Sequence, residues 1–170
     1  GFLAGLVKDW EGAGEAAVAA GIRVVHLRLG MVLAKSGGVL SKMFFRFKFG
    51  LGAILGNGKQ AMPWIHIADV QDVVGFLLNN RHISGAVNVV APETVDNRTF
   101  SRTLGRVLKR PVFFSVPAFF LRMVFGEMAD ELLLSGARVK PQKLISNGYP
   151  FHFSTLEDAL RNLLTEKRTT

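Results

Sequence analysis

The feature that most constrains the fold is an apolar strand that follows a helix through a short glycine turn. Residues 23–29 read Arg-Val-Val-His-Leu-Arg-Leu, and their apolar side chains do not alternate strictly with polar ones. Such a strand is typical of a parallel sheet covered on both faces. Before it, apolar residues recur at helical spacing over residues 3–20, and Gly21 is placed to end that helix. A helix, a glycine turn and a buried strand form the αβ step of a doubly wound α/β fold.

Apolar runs and capping residues predict the other elements. These are a short helix over 40–49, strands over 64–67, 86–90 and 112–116, and helices that start at Asp69, at Asp96 or Asn97, at Pro117 and near Ser154. The pattern divides the chain into an α/β portion, residues 1–95, and a smaller portion, residues 96–170. Because the chain starts inside an amphipathic helix, we expect it to be a piece of a longer protein.

The composition excludes several classes of protein. The 170 residues contain no cysteine, which excludes disulfides, a cysteine nucleophile and thiolate metal sites and fits a cytoplasmic location. Lys and Arg number 21 against 13 Asp and Glu, a net charge of +8, and the excess is divided evenly between the two halves of the chain. The most apolar stretch, residues 112–126, is too short and too often interrupted to span a membrane. We expect neither nucleic acid nor a membrane as a partner.

The glycine-rich segment of residues 30–60 is expected to be a long functional connection. Inside it, Gly50-Leu-Gly52-Ala-Ile-Leu-Gly56 has almost the spacing of a dinucleotide fingerprint. That fingerprint binds pyrophosphate only where a helix begins directly after the glycines, and the Asn57-Gly58 that follows here is a poor helix start. We interpret the segment as a loop and not as a phosphate cradle.

The histidines favour structural roles. The chain has four histidines, His26, His66, His82 and His152. They are too scattered for a local metal motif, and we expect no metal site. His66, beside Asp69, is interpreted as an orienting hydrogen-bond partner, with a functional role as the alternative.

Two groups of charged residues are interpreted as solvated helix faces. They are the acids Glu127, Asp130 and Glu131, and the basic stripe Arg102, Arg106 and Arg110 with Lys109. The alternatives are paired carboxylates or a metal site for the acids and a phosphate-binding surface for the basic stripe. The apolar helix that starts at Pro117 carries three acids and one Arg, so we assign it to core packing and not to a membrane surface. The sequence has no G-x-S-x-G elbow of a serine hydrolase.

With these segments in place, the sequence resembles the YfcH-like branch of the extended short-chain dehydrogenases/reductases, a group of NAD-dependent epimerase family proteins. The matching stretches are residues 21–33, 37–43, 50–52, 56–60, 64–69 and 88–92, followed by Arg110-Pro111, Gly126-Glu127 and residues 138–141 (Arg-Val-Lys-Pro). The resemblance implies the C-terminal half of a Rossmann-like doubly wound α/β fold with a small, mostly helical C-terminal lobe. The pyrophosphate-binding glycine loop of the family lies upstream of the matched stretches.

The resemblance also implies a site. It assigns NAD(P), with NADP favoured, to this site and places the nicotinamide at the turn Leu29, Gly30, Met31 and Val32. Ligands of open α/β sheets do lie beyond the carboxyl ends of the strands. Gln60 and Trp64 are implied as the substrate-facing wall, where an amide and an aromatic face suit a neutral or aromatic group. Met62-Pro63 stands where many relatives have an Arg-Asp pair, which argues against a nucleotide-sugar substrate.

We assign no catalytic residue to the chain. Hydride transfer in this family uses a Tyr-x-x-x-Lys pair, in which Lys lowers the pKa of the tyrosine acid/base. Residues 2–20, where that pair is expected, contain no tyrosine, and Tyr149 is far along the chain. The leading hypothesis is that the chain is the C-terminal part of an NAD(P)-dependent oxidoreductase or epimerase-like protein. The substrate is an unknown small molecule, and the partner of the chain is the N-terminal half of the parent protein. The alternative is a non-catalytic dinucleotide-binding or protein-interaction module, and a nucleic-acid binder comes third.

Overall fold

The computed structural model describes residues 12–126 and 129–165 and has a mixed α/β fold. Its eight strands are β1 Val25–Leu29, β2 Met31–Leu33, β3 Ala53–Leu55, β4 Ala61–Met62, β5 Trp64–His66, β6 Gly85–Val89, β7 Val95–Asp96 and β8 Phe114–Val116. Its helices are α1 Glu15–Ala19, α2 Gly38–Lys48, α3 Ile67–Asn79, α4 Asn97–Val107, α5 Ala118–Phe125, α6 Gln142–Ser146 and α7 Leu156–Thr165, with a π-helix at Ala129–Leu134.

Three of the four strand pairs are parallel. They join β1 to β6, β2 to β5 and β3 to β8, whereas β4 and β7 form a short antiparallel pair. Parallel neighbours require a crossover connection, and α2 lies in the connection from β2 to β5. The predicted strands at 86–90 and 112–116 and the predicted helices at 40–49 and near Ser154 are confirmed to within a few residues. The predicted N-terminal helix lies mostly outside the described residues.

Gly30 is the residue at which the chain changes its strand partner. Its N–H donates to the carbonyl of Val89 in β6 at 3.2 Å, and the next N–H, of Met31, donates to the carbonyl of Pro63 at 2.7 Å. A Cβ on Gly30 would lie 2.8 Å from both the Pro63 carbonyl oxygen and Val90 Cγ1. Only glycine therefore fits between these two neighbours.

Two apolar clusters form the core. The larger lies around α4 and α7, which pack against each other, and it encloses Trp64 and Phe100 completely. The second lies between α3 and β6 and includes Val73, Val87 and Tyr149. Each large apolar side chain buried here contributes roughly 1.5–3 kcal/mol to folding. These clusters fix the strands whose ends form the candidate site.

The prediction that β1 is buried on both faces is wrong for the described residues. None of its five residues is buried, and Leu27 and Leu29 are 39% and 52% exposed. Within the described part of the chain, β1 has one strand partner, β6, along one edge. The apolar run is therefore present without the elements that would cover it.

The predicted cap at Asp69 is also wrong. The helix α3 begins at Ile67, and His66 is its N-cap, with Nδ1 accepting the N–H of Ala68 at 3.1 Å. The His66 ring is buried and stacks on Phe153 with ring centroids 3.9 Å apart. Asp69 turns inward instead, so the histidine and the aspartate have exchanged the roles that the sequence pattern predicted.

The core-packing role predicted for the helix at Pro117 does not hold for α5. Leu121 is its one buried residue, while Phe119 and Met123 are 69% and 71% exposed. The apolar side of this helix thus faces outward in the described part of the chain. No helix among the described residues is long and apolar enough to cross a bilayer.

Candidate functional site

The candidate site is a crevice at the carboxyl ends of β1 and β6. These strands are parallel and in register, with Arg28 opposite Asn88 and Leu29 opposite Val89, so both end at the same edge. A cavity of about 370 Å³ opens there. Its lining residues are Arg28, Leu29, Gly30, Pro63, Asn88, Val90, Arg138, Val139 and Lys140. Ligands of open α/β sheets bind in such a crevice.

The ends of β1 and β6 form two walls of the crevice, and residues 138–140, which follow the π-helix, form a third. The side-chain amide of Asn88 donates to the carbonyl of Lys140 at 3.3 Å, and Lys143 Nζ donates to the carbonyl of Ser84 at 2.7 Å. A Cβ on Gly136 would overlap the backbone of Ala61, so the segment can approach β4 only with glycine there. These contacts fasten the segment beside β6 and bring Arg138 and Lys140 to the crevice.

The lining of the crevice is positively charged. It contains the three cations Arg28, Arg138 and Lys140, the amide of Asn88 and no acidic side chain among the described residues. The positive charge of Arg138 also affects the pKa of Asp96, the N-cap of α4. Burial, the largest single influence, raises the pKa of Asp96, but the hydrogen bonds from Thr99 and the charges of Arg98 and Arg138 together lower it.

The structure places two of the residues assigned to the nicotinamide in the crevice and two outside it. Leu29 and Gly30 line the cavity. Met31 and Val32 belong to β2, where both are half-buried and pack against the two core clusters. The cofactor role of all four stays a prediction.

The residues assigned to the substrate wall, Gln60 and Trp64, do not line the crevice. The amide of Gln60 donates to the carbonyl of Leu55 at 3.1 Å. The Trp64 ring has no exposed surface, and its Nε1 has no hydrogen-bond partner among the described residues. Both roles stay predictions, and in this structure Trp64 supports the strand from the core.

Tyr149, the one tyrosine of the chain, does not lie in the crevice. Its hydroxyl donates to Asp69 Oδ1 at 3.2 Å inside the second core cluster. Burial and the neighbouring Asp69 carboxylate raise the pKa of its phenol above the ordinary value. A buried, strongly protonated phenol is not the activated acid/base that hydride transfer needs.

The remaining charged groups are dispersed. The described residues contain no cluster of three or more His, Asp and Glu side chains that could hold a metal ion. His152 pairs with Asp72 at 2.9 Å, and Arg122 pairs with Asp130. In the basic stripe of α4, Arg106 pairs with Glu157 and Arg110 donates to the carbonyl of Lys48. Glu127 and the side chain of Glu131 lie outside the described residues.

None of the sequence patterns predicted Asn88, Arg138 or Lys140 as site residues. Asn88 is the first residue of one stretch that carries the resemblance, residues 88–92. Arg138 and Lys140 belong to another, residues 138–141. Two matching stretches that lie 50 residues apart in the chain thus meet at one sheet edge. Each stretch taken alone resembles an ordinary strand end and an ordinary basic loop.

With a crevice at the ends of parallel strands, the fold defines the class of Rossmann-like α/β proteins. Residues 116–163 match the family described as a domain of unknown function, DUF1731. The chain is 44% identical to the epimerase family protein ML0860 of Mycobacterium leprae over 160 residues, which are 94% of this chain and 52% of that protein. It spans about half the length of the curated relatives it matches.

Two solved structures extend the comparison. A crystal structure of the human epimerase family protein SDR39U1 with NADPH has a TM-score of 0.78 and 36% identity, and the match covers 84% of this chain and 48% of that one. A nucleoside-diphosphate sugar epimerase from Corynebacterium glutamicum has a TM-score of 0.76 and 29% identity, and the match covers 96% of this chain and 31% of that one. This chain is thus similar in sequence and fold to about half of one epimerase protein and about a third of the other.

Proposed function

We propose that the chain forms the substrate-side part of an NAD(P)-dependent oxidoreductase or epimerase-like protein that acts on a small molecule. The observation that carries the proposal is the crevice around Gly30 at the carboxyl ends of β1 and β6. The similarity to a human relative that was crystallised with NADPH supports a nicotinamide dinucleotide, with NADP favoured.

In this proposal, residues 29–32 border the nicotinamide. At Gly30 the backbone changes its hydrogen-bond partner from Val89 in β6 to Pro63, which precedes β5. Leu29 is left half exposed at the crevice. Gln60 holds the glycine-rich segment through its hydrogen bond to Leu55, Trp64 supports β5 from the core, and their role as the substrate-facing wall stays a prediction. The role of the chain's own residues is to bind and orient, since Tyr149 is buried away from the crevice.

The proposed partner of this chain is the N-terminal half of the parent protein. The exposed apolar residues of β1, Leu27 and Leu29, support this because a two-sided apolar strand belongs inside a sheet. The relatives are about twice as long as the match, so they contain further chain that could cover β1. The division at residue 95 between an α/β portion and a C-terminal portion belongs to the same proposal.

The test uses the protein as its gene encodes it, including any sequence upstream of residue 1. NADPH is titrated against the wild type and against Gly30→Ala, whose Cβ would overlap Pro63 and Val90. Gly75→Ala, where a Cβ meets nothing within 4 Å, is the matched control. We expect NADPH to bind the wild type and the control alike and Gly30→Ala about tenfold more weakly, a loss of about 1.4 kcal/mol. Equal binding by all three would contradict the proposed position of the cofactor.

A second candidate is a non-catalytic dinucleotide-binding module. The burial of Tyr149 and the absence of tyrosine from residues 2–20 favour it. It predicts NADPH binding without oxidation of NADPH by any member of a broad panel of carbonyl compounds. Turnover of one of these compounds would exclude it.

A further inference from the structure

We propose that the crevice holds an anionic group of the substrate, a phosphate or a carboxylate, with Arg138 and Lys140 as its main ligands and Arg28 opposite them. This inference rests on the proposed function and gives the chemical class of its substrate. It differs from the neutral or aromatic group that the sequence analysis predicts.

The walls of the crevice carry an excess of positive charge. Three cations line a cavity of about 370 Å³, and no acidic side chain lines it in the part of the chain that the structure describes. Each further cation on the wall strengthens the attraction of an anion to the cavity. Asp96 offsets part of the Arg138 charge, but its carboxylate accepts the N–H of Thr99 as the cap of α4 and is not a cavity residue.

Contacts with the neighbouring strands hold the backbone that carries these cations. Arg28 and Asn88 are register partners in adjacent strands, and Asn88 holds the carbonyl of Lys140. Pro141 is buried directly after Lys140, and Lys143 is anchored on Ser84. The backbone of the segment is therefore fixed while its two charged side chains remain exposed toward the crevice.

The side chains of the crevice match an anion in both charge and geometry. A guanidinium presents a planar pair of donors that suits a carboxylate or phosphate, and an ammonium adds a compact charge. Gln60 and Trp64, the residues that favoured a neutral group, do not line the cavity. The crevice thus offers charge, and the residues that were predicted to stack on the substrate lie outside it.

The test measures binding of inorganic phosphate and of malonate to the full 170-residue chain at low ionic strength, with glycerol as the neutral probe. Arg138→Gln and Lys140→Gln each remove one crevice charge. Arg81→Gln and Lys42→Gln remove the same charges from exposed positions outside the crevice. Thermal unfolding establishes that each variant is folded. We expect the two crevice variants to weaken anion binding about tenfold and the two controls to leave it unchanged.

Equal weakening by all four variants, or no saturable anion binding by the wild type, would overturn the proposal. A cofactor phosphate is the other source of the same chemistry, and NADPH titration of the protein as its gene encodes it separates the two. A substrate site requires that Arg138→Gln leaves the NADPH affinity unchanged. If that affinity falls as far as the phosphate affinity, the crevice belongs to the cofactor and the substrate assignment is wrong. Failure of the wild type to bind NADPH contradicts the proposed function but leaves the anion titration interpretable.

Discussion

The carboxylate of Asp69 and the hydroxyl of Tyr149 lie 3.2 Å apart in the core, although 80 positions separate them in the chain. Asp69 has no exposed surface. It also accepts the backbone N–H groups of His152 and Phe153, at 2.9 and 3.1 Å. Three donors from one short segment thus satisfy a single buried carboxylate, which ties the C-terminal part of the chain to the first turn of α3.

Replacement of Asp69 by Asn should therefore be costly. In the wild type, both carboxylate oxygens accept backbone N–H groups. In the Asn variant one of these oxygens is replaced by an NH₂ group, which cannot accept, so one buried N–H loses its partner. We expect the free energy of unfolding, measured by urea denaturation, to fall by about 2–4 kcal/mol. Asp72→Asn is the control, because its pair with His152 is more than half exposed on both sides and should contribute at most about 1 kcal/mol. Similar losses for the two variants would show that the buried network has no special role.

The same pair predicts a dependence on alkaline pH. Burial, followed by the charge and hydrogen bond of Asp69, raises the pKa of Tyr149 above its ordinary value of 10.0. The folded protein therefore holds this proton more tightly than the unfolded chain does. This contribution to stability is fully present below pH 10 and is lost as the pH rises toward the folded pKa.

The measurement follows tyrosinate absorbance, which reports Tyr149 alone because the chain contains one tyrosine. We expect no tyrosinate in the folded protein near pH 10 and a single appearance of it on alkaline unfolding. Tyr149→Phe should lower the free energy of unfolding at neutral pH by about 1 kcal/mol, and its deficit should shrink as the pH rises. Titration of the folded wild type at an ordinary tyrosine pKa would contradict the buried placement.

The elements that could be predicted from the sequence are those with a strong local signal. The strands β5 and β6 and the helices α2 and α7 have apolar runs of the right length. The short strands β3 and β4 were not predicted, because two or three residues carry no periodicity and depend on partners 33 or more residues away: β3 pairs with β8, and β4 with β7. The inverted roles of His66 and Asp69 have the same origin, since only the distant residues 149–153 give Asp69 a reason to turn inward.

Part of the candidate site could likewise be predicted from local sequence, and part of it depends on distant contacts. Gly30 could be placed at the end of a strand from sequence alone, because a glycine after a buried-type strand in a doubly wound fold lies at the ligand edge. Arg138 and Lys140 could not, since their position depends on the contact of Gly136 with Ala61 and on the hydrogen bond from Asn88. Neither contact leaves a trace in the local pattern of charges.

Two glycines with open surroundings provide a test of backbone conformation alone. A Cβ on Gly75 or on Gly148 would meet nothing within 4 Å, but Gly75 is inside α3 whereas Gly148 has a φ of +72°. Gly75→Ala should raise the free energy of unfolding by about 0.5–1 kcal/mol, because alanine loses less conformational entropy in a helix. Gly148→Ala should lower it by about 1 kcal/mol, because a side chain strains the left-handed backbone. Chemical denaturation of both variants measures the difference, and shifts of the same sign would be inconsistent with these backbone conformations.

The N-cap of α4 predicts a dependence on acidic pH. Asp96 Oδ1 accepts the N–H of Thr99 at 2.7 Å, and the surrounding donors and cations lower its pKa despite the opposing effect of burial. Because the folded pKa is below the unfolded value of 3.8, this contribution to stability is present above that value and is lost as the pH falls through the folded pKa. At pH 7 Asp96→Ala should cost about 1 kcal/mol, and Asp96→Asn less, because the amide still accepts the capping hydrogen bond. Urea denaturation from neutral to acidic pH should show the wild-type advantage over Asp96→Asn vanish at the acidic end, and an advantage that grows there would contradict the lowered pKa.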